Sequence, residues 1–368
     1  MPAVTGRNET TGRLSGPGRS VADASARGLT GPPDRQKDGA IVTQMLDRGD
    51  FPRQADGYRK ELLAHCYRMS GSVHEAEDLV QETYLRAWRA YDGFEQRSSL
   101  RTWLYRIATN VCLTALAGRP RRPLPVGLGA AGSQAGDQLT EDLEVPWLQP
   151  IPDAAVDTDA PNADPAAVAV SREGIRLAFI AAIQFLPPRQ RAVLILREVV
   201  GWKAAEVAAA VGTSTAAVNS LLQRARAELD RVAPSADGLA EPADPAVRAL
   251  LDQYVEAFWT KDIATLVRMF TQDAIWEMPP FHQWYRGADN IGALIGTQCP
   301  GNAGDMKLVG CQANGQPAFG LYMRHPEGGF RPFHLQVLEI REGRVAHVAA
   351  FFDLSLFATF GLPESLPD

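Results

Sequence analysis

The chain has 368 residues, of which 45% are hydrophobic and 22% are charged, and its formal net charge is −6. This length predicts two or three domains, and the composition is typical of a globular protein with a sizeable core. The acidic balance argues against a generic nucleic-acid-coating protein. The lack of long apolar runs argues against a membrane span or a signal peptide, so we expect a cytoplasmic protein with no membrane partner.

Charge and proline content divide the chain into segments. Residues 51–122 carry 12 basic against 8 acidic side chains, residues 171–232 carry 9 against 5, and residues 123–170 carry 8 acidic side chains, seven prolines and no base. The first forty residues show no helical or strand period, and the four cysteines form no close pair, which predicts free thiols. The pattern predicts a disordered tail (1–40), a helical domain (41–122), an extended acidic linker (123–170), a second helical domain (171–232) and an α+β domain (244–361).

Residues 204–223 have the spacing of a helix-turn-helix. Gly212 can adopt the positive φ that ends a first helix, and Thr213 or Ser214 can cap the second. At about 100° per residue, the second helix directs apolar residues to a core and polar residues outward. Arg, Asn and Gln pair well with base edges, although a solvated amphipathic helix would show the same face. The candidate DNA-binding residues are Lys203, Thr215, Asn219, Ser220, Gln223, Arg224 and Arg226.

An upstream helical segment, Glu75 to Arg89, has a mixed outer surface. Its apolar stripe faces a core, whereas Leu85 lies on the opposite side among Asp78, Gln81 and Glu82. An apolar side chain within an acidic polar face is typical of a docking surface for a basic partner.

Two motifs in this order resemble the sigma-70 family of RNA polymerase sigma factors, in its extracytoplasmic-function branch. The sequence Asp78-Leu-Val-Gln-Glu82 and the helix from Leu100 to Asn110 resemble region 2. Leu186-Pro-Pro-Arg-Gln-Arg191 with the helix-turn-helix resembles region 4. The resemblance implies an all-α region 2 and an all-α region 4 that bind the polymerase core and promoter DNA without cofactor or metal.

The resemblance also implies particular contacts on the polymerase, namely the β′ clamp helices for region 2 and the β flap for region 4. An anti-sigma factor or a small ligand is a candidate regulator. The acidic linker would run near the RNA path, where carboxylates imitate RNA phosphates, or else serve as a solvated spacer. The implied core-binding residues are Asp78, Leu79, Val80, Gln81, Glu82 and Leu85.

In this family region 2 recognises and melts the −10 promoter element, and region 4 reads the −35 element. Helical periodicity puts Trp103 in the core and leaves Tyr105 as the exposed aromatic side chain for base stacking. Phe94, in the preceding loop, either stacks on an unpaired base or anchors the loop to the core. The candidate −10 residues are Phe94, Arg97, Ser98, Arg101, Thr102, Tyr105, Arg106 and Asn110.

The C-terminal residues 244–361 resemble the SnoaL-like group of the NTF2-like fold, a curved sheet wrapped by helices around a cone-shaped pocket. The resemblance rests on a helix through Tyr254, the segment Asp273 to Pro280 and a final hairpin with strand-like alternation on either side of Glu342-Gly343. Some members of the group are enzymes that use Asp and His, but nothing in the sequence brings two such residues together. We therefore expect a regulatory domain without catalytic residues. The candidate pocket residues are Trp276, His282, Trp284, His334 and Asp353.

The sequence thus predicts a sigma factor, not an enzyme, whose activity the C-terminal domain tunes. Two alternatives stay open. One is a one-component regulator in which an NTF2-like domain binds a ligand and a helix-turn-helix binds an operator. The other is a pocket enzyme fused to a DNA-binding module.

Overall fold

The computed structural model describes residues 50–129, 132–156, 173–232 and 244–368. The predicted disordered tail, 1–40, lies outside these residues. Within the described ranges no helix is both long enough and apolar enough to cross a bilayer.

The first helical module comprises residues 50–122. Its third and fourth helices begin at serines, because the hydroxyls of Ser72 and Ser99 accept the backbone N–H groups of Glu75 and Thr102. The stripe predicted on the third helix is confirmed, since its members are buried: Ala76, Leu79, Val80, Thr83 and Ala87. The helices of the module are α1 (Phe51–Asp56), α2 (Arg59–Ser70), α3 (Val73–Ala90) and α4 (Leu100–Ala115).

The described part of the linker, residues 123–129 and 132–156, packs against the C-terminal domain and ends in α5 (Asp153–Val156). Leu148 and Ile151 are fully buried. The backbone N–H of Ser133 donates to the carbonyl of Trp284 at 2.7 Å. This corrects the expectation of an extended linker for these residues. Proline and acidic content indicates local extension, but it does not reveal the apolar anchors between the prolines.

The second helical module comprises residues 173–232. Gly212 has φ +66° and ends the third of its helices, and the Ser214 hydroxyl accepts the N–H of Ala217 at 3.2 Å, so the predicted turn is confirmed. Three of the predicted core positions on the fourth helix are buried: Val218, Leu222 and Ala225. The helices are α6 (Leu177–Ile183), α7 (Pro188–Leu194, continued by a π turn, Ile195–Val199), α8 (Ala204–Val211) and α9 (Thr215–Val232).

The C-terminal domain, residues 244–368, is a six-stranded mixed sheet with helices on it. The strands are β1 (Phe270–Glu277), β2 (Trp284–Arg286), β3 (Met306–Ala313), β4 (Gln316–Arg324), β5 (Phe330–Arg341) and β6 (Arg344–Phe351). Their order in the sheet is β2-β1-β6-β5-β4-β3, with β1 parallel to β6 and the other neighbours antiparallel. The predicted hairpin turn is confirmed, since Glu342 and Gly343 have φ +49° and +70° between β5 and β6. The helices are α10 (Pro245–Trp259), α11 (Ile263–Met269), α12 (Ala288–Thr297) and α13 (Ser355–Thr359).

Both faces of this sheet are buried. One face packs on the helices of its own domain, and the other packs toward the two helical modules. Successive side chains of a strand point to opposite faces. On β6, Val348 and Ala350 therefore join the core under α10 to α12, whereas Ala349 and Phe351 join the core that continues into the helical modules. Burial of the second face explains why the described residues belong to one compact unit.

Candidate polymerase and DNA interfaces

The outer face of α3 presents a groove of about 520 Å³ with an apolar floor. Leu85 is 50% exposed and Trp88 is 38% exposed, and both line this groove beside Gln81. Asp78 is exposed on the same helix, and Glu82 holds Arg86 at 2.6 Å. Exposed large apolar side chains with polar neighbours are typical of a protein-binding site. Asp78 and Glu82 lie beside the groove on the same helix, and we name the groove together with these neighbours the α3 groove: Asp78, Gln81, Glu82, Leu85 and Trp88.

Two predicted core-binding residues do not reach this surface. Leu79 is 5% exposed and Val80 is fully buried, because both lie on the stripe that packs against the module's own core. They position α3 and cannot contact a partner in this conformation. The second apolar residue of this surface is Trp88, which was not predicted. Because Trp88 follows Leu85 by three residues, a helical period of 3.6 residues places both on the same face and would have indicated Trp88.

The loop before α4 is held by stacked aromatic rings. Phe94 lies 4.7 Å from Trp103, centroid to centroid, with the planes 29° apart, and Tyr91 stacks on Phe94 at 6.3 Å. Of the two roles considered for Phe94, this packing favours the anchor. In the same loop Arg97 is exposed and pairs with Glu95, and Ser98 is half-buried.

The prediction that Tyr105 is the exposed aromatic of α4 is wrong. Tyr105 is 3% exposed, its hydroxyl donates to Glu61 at 3.2 Å, and its ring lies 5.9 Å from the ring of Trp202 in the second module. Trp103 is only half-buried. Helical periodicity identifies the face that meets a helix's own module, but it cannot show that another module covers the opposite face.

The remaining candidates on α4 form a basic and polar strip that ends at the second module. Arg101 pairs with Glu61 at 2.6 Å, Thr102 is half-buried and Arg106 is exposed. The Asn110 amide donates to the carbonyl of Ala210 on α8 at 3.3 Å. The far end of this strip therefore lies at the contact between the two helical modules.

The polar face of α9 is open. Six of the predicted DNA-binding residues are exposed on this helix: Thr215, Asn219, Ser220, Gln223, Arg224 and Arg226. Arg226 pairs with Glu198 at 2.6 Å, whereas within the described part of the chain the guanidinium of Arg224 bonds to a backbone carbonyl of its own helix at 3.4 Å and to no carboxylate. Lys203, also exposed, precedes α8, and its backbone N–H donates to Glu206 at 2.7 Å. The helix-turn-helix therefore presents this polar face to solvent.

A buried asparagine joins three other parts of the chain to the C-terminal domain. Asn314, in the turn between β3 and β4, is fully buried with φ +58°. Its amide NH₂ donates to the Tyr67 hydroxyl of α2 at 2.9 Å and to the carbonyl of Ile175 before α6 at 2.7 Å. Its amide oxygen accepts the N–H of Ile151 in the linker at 3.0 Å. One side chain therefore connects the first module, the linker and the second module to the C-terminal domain.

Two of the five predicted pocket residues line a cavity of the C-terminal domain, and three do not. Trp276 and His334 line it. His282 is half-buried and binds Asp142 of the linker at 2.8 Å, and Asp353 is exposed and accepts from Gln149 at 3.1 Å. Trp284 is buried on β2 outside this cavity, facing the linker at Gly132. His282, Trp284 and Asp353 contact the linker instead, because the linker covers the part of the domain surface where the sequence predicted a pocket.

The sequence did not predict a hydrogen-bonded carboxylate and imidazole on the opposite face of the sheet. His347 Nε2 lies 2.7 Å from Glu277, a fully buried residue whose other oxygen accepts the N–H of Val126 in the linker at 2.7 Å. Burial alone would lower the pKa of His347, but the hydrogen bond and the charge of Glu277 raise it above its ordinary value. The pair thus fixes the start of the linker. Within the described residues, no group of three His, Cys, Asp or Glu side chains has metal-binding geometry.

Two buried histidines predict a loss of stability in mild acid. Burial lowers the pKa of His65 and of His334 from 6.5 to about 3. For each histidine, the contribution to the free energy of unfolding is fully present above pH 6.5 and decreases as the pH falls toward 3. By pH 5 the decrease is on the order of 2 kcal/mol per histidine. His65→Gln should therefore lose less free energy of unfolding than the parent between pH 7 and pH 5, as measured by denaturant titration. The exposed His74→Gln is the control, and an equal loss in all three proteins would refute the assignment.

The structure has two helical modules and an α+β third domain, and comparisons with known proteins find the same three parts. Family models match for Sigma-70 region 2 over residues 55–122, Sigma-70 region 4 over residues 176–229 and a SnoaL-like domain over residues 251–348. The chain is 58% identical over 321 residues to the ECF RNA polymerase sigma factor SigG of Mycobacterium tuberculosis, covering 87% of this chain and 85% of that protein. It is 29% identical over 195 residues to the RNA polymerase sigma-H factor of Pseudomonas aeruginosa, covering 52% of this chain and 91% of that protein.

The overall fold has a solved counterpart. The crystal structure of the M. tuberculosis extracytoplasmic-function sigma factor SigJ matches with a TM-score of 0.53 at 24% identity, over 85% of this chain and 100% of that one. The chain therefore belongs to the extracytoplasmic-function RNA polymerase sigma factors, which direct the polymerase core to promoters. The expectations of a helical region 2, a helical region 4 and a C-terminal NTF2-like domain are confirmed. The alternative of a one-component regulator is not favoured. The relatives of this chain are sigma factors, which are not enzymes.

Proposed function

We propose that the α3 groove is the surface by which this sigma factor docks on the β′ clamp helices of the polymerase, in the cytoplasm. The observation that carries this proposal is the exposure of Leu85 and Trp88 in a groove beside Asp78 and Glu82. An apolar anchor provides most of the binding energy of such an interface, and the acidic rim selects a basic partner. We assign the β flap as the partner of region 4.

A photo-crosslinking amino acid tests this assignment directly. Placed at position 85 of the full chain and irradiated with core polymerase, it should give a covalent adduct with β′. The same group at position 354, where Leu354 is also exposed (53%), should give none. An adduct with a different subunit at position 85 would contradict the assignment.

Promoter reading divides between two surfaces in this proposal. The exposed side chains of α9 read the −35 element, and the strip on α4 with its preceding loop reads the −10 element. The strip comprises Arg97, Ser98, Arg101, Thr102, Arg106 and Asn110. Tyr105 would join it only after Trp202 moves away, because the two rings are in contact. A transition from the closed state, in which the modules touch, therefore precedes promoter opening.

Arg224 is the residue of α9 best suited to a direct base contact, because its guanidinium pairs with no carboxylate among the residues that the structure describes. Arg224→Ala should weaken promoter binding of the holoenzyme by about 1–3 kcal/mol at one −35 position and relax the preference there. Arg231→Ala is the control, since Arg231 pairs with Glu228 in the last turns of the same helix. A uniform loss over every −35 sequence would instead identify Arg224 as a phosphate contact.

The C-terminal domain holds the closed state in this proposal. Asn314 binds the first module, the linker and the second module at once, so the domain opposes their separation. A regulator that loosens this junction, whether an anti-sigma factor, another protein or a small ligand, would tune transcription.

A further inference from the structure

A groove of about 460 Å³ lies where the two helical modules meet. One wall is the chain that leaves α4, residues 116–122, and the other is the turn between α6 and α7, residues 184–188. Pro146 of the linker also lines it. The volume is within the range of small-molecule sites, about 300–1,000 Å³. Because each module contributes a wall, the groove is present only while the modules touch.

Positive charge dominates this groove. The residues that line it have a net charge of +3, because they include four arginines and one carboxylate, that of Glu75. The arginines are Arg119, Arg121, Arg122 and Arg191. Arg119 and Arg122 both pair with Glu75, the second at 3.1 Å, so one carboxylate serves two guanidiniums. The lining therefore leaves an excess of positive charge for an anionic occupant.

Two of the guanidiniums can donate to such an occupant without giving up a present bond. A guanidinium has five N–H groups. Within the described residues, Arg119 bonds to Glu75 through Nη1, and Arg121 bonds to the carbonyl of Gly127 through Nη2 at 2.8 Å. Both side chains are exposed, that of Arg119 at 56%. Arg121 is also held in place, because its guanidinium lies over the ring of Phe185, 4.1 Å from the centroid.

A buried guanidinium adds to the positive field. Arg191 is 4% exposed and donates to the side-chain oxygen of Gln184 at 2.6 Å and to the carbonyls of Gln184, Leu186 and Met69. Within the described chain none of its partners is a carboxylate. Burial lowers the pKa of Arg191 to about 10, so the group is still charged at neutral pH. A buried charge without a counter-charge is costly, and an anion in the groove would reduce that cost.

The chemistry of the two walls indicates the kind of anion. Guanidiniums bind phosphate oxygens bidentately, and one phosphate group carries a charge of about −1.5 to −2, so two such groups match the lining. The opposite wall is apolar and includes Phe185, Pro187 and Pro188, which favours an apolar part beside the phosphates. A DNA backbone also carries phosphates, but the promoter is read in the open state, in which this groove is absent.

We propose that this groove binds a small molecule with two phosphate groups and an apolar ring, the chemistry of a nucleoside diphosphate, and that binding holds the two modules together. The phosphates bind Arg119 and Arg121 of the first module, and the ring packs on Pro187 and Pro188 of the second. The proposal rests on the closed state of the proposed function. A ligand that contacts both modules binds the closed state more tightly than the open one, so it shifts the chain toward the closed state.

Titration calorimetry with three probes tests the ligand class on the full-length chain: ADP, inorganic pyrophosphate, which lacks the ring, and adenosine, which lacks the phosphates. ADP should bind about tenfold more tightly than pyrophosphate, as expected from removal of roughly 60 Å² of apolar surface from water. Adenosine should show no saturable binding. Equal affinity for ADP and adenosine would overturn the proposal.

Arginine variants test the site. Arg119→Gln and Arg121→Gln should each weaken ADP binding about tenfold, the cost of a lost charge-assisted hydrogen bond. Arg331→Gln, at an exposed arginine of β5 outside the groove, should bind ADP as the parent does. Because Arg119 is more than half exposed, its variant decides the matter if Arg121→Gln does not fold. An equal loss in Arg331→Gln would reduce the effect to general charge and overturn the assignment.

Abortive initiation at limiting sigma concentration tests the coupling. Initiation by the parent holoenzyme should fall as ADP is raised, whereas Arg119→Gln should need about tenfold more ADP for the same relative fall. The comparison cancels any effect of ADP on the polymerase itself, and equal inhibition of both proteins would overturn the coupling. If ADP does not bind and Arg119→Gln instead weakens promoter binding by the holoenzyme, these arginines are DNA phosphate contacts and the proposal fails. Transcription without ADP tests the proposed function separately.

Discussion

Replacing Leu85 with Glu should reduce association with the polymerase core by about 30-fold or more, because it places a charge at the centre of the α3 groove. Truncation of such an anchor costs about 2 kcal/mol or more, and about 1.4 kcal/mol corresponds to tenfold. The fold should be unaffected, since the side chain of Leu85 is half exposed. Association is measured by titrating labelled chain with core polymerase, and the melting temperature checks the fold.

The matched control is Leu354→Glu, which introduces the same charge at an equally exposed leucine of the C-terminal domain. It should leave association with the core within about twofold of the parent, as expected of a surface substitution away from the interface. If Leu85→Glu bound the core as tightly as Leu354→Glu, the α3 groove would not be the docking surface.

Asn314→Ala should weaken the junction of the three parts by several kcal/mol and raise transcription at limiting sigma concentration. The substitution leaves the Ile151 N–H and the Ile175 carbonyl without their partner, at about 1–3 kcal/mol for each buried group. It also removes one of the two bonds of the Tyr67 hydroxyl, which still donates to the carbonyl of Gln149. It also puts a residue with a Cβ but no local hydrogen bond at φ +58°. The measurements are unfolding in denaturant and abortive initiation at a fixed promoter.

Asn314→Asp separates loss of the junction from a general loss of structure. It removes the two donated bonds to Tyr67 and Ile175 and buries a carboxylate beside the Ile175 carbonyl, but Asp, unlike Ala, tolerates the positive φ of this turn. A gain in initiation at least as large as that of Asn314→Ala is expected from this variant. Transcription that falls in both variants while the fold is retained would contradict a restraining role for the C-terminal domain.

The closed state gives a geometric reason for such restraint. The −10 and −35 elements lie roughly 25 base pairs apart by their own numbering, which is about 85 Å of duplex at 3.4 Å per base pair. Asn110 of the first module bonds to Ala210 of the second, and Tyr105 packs on Trp202. Modules in direct contact cannot read both elements, so the chain must open when it joins the polymerase and the promoter.

Features that depend on neighbouring residues were predictable from the sequence. The stripe on α3, the Gly212 turn and the polar face of α9 follow from a period of 3.6 residues and from capping chemistry. The hairpin at Glu342-Gly343 likewise follows from strand alternation around a turn pair. Each of these signals lies within a few consecutive residues.

Features that depend on packing between modules were not predictable in the same way. Tyr105 is buried by Trp202, about a hundred positions along the chain, and the linker is anchored by Leu148 and Ile151. Asn314-Gly315 does carry a hairpin signal, but its polar side chain shows no sign of three partners from distant segments. The sequence likewise shows no sign of the contact between Glu277 and Val126, which fixes the start of the linker on the sheet.

In vitro transcription with purified core polymerase and the full-length chain tests the central claim most directly. The account predicts transcripts that start at specific promoters, depend on addition of the chain and are strongly reduced by Leu85→Glu but not by Leu354→Glu. A chain that binds the core yet yields no promoter-specific initiation would contradict it.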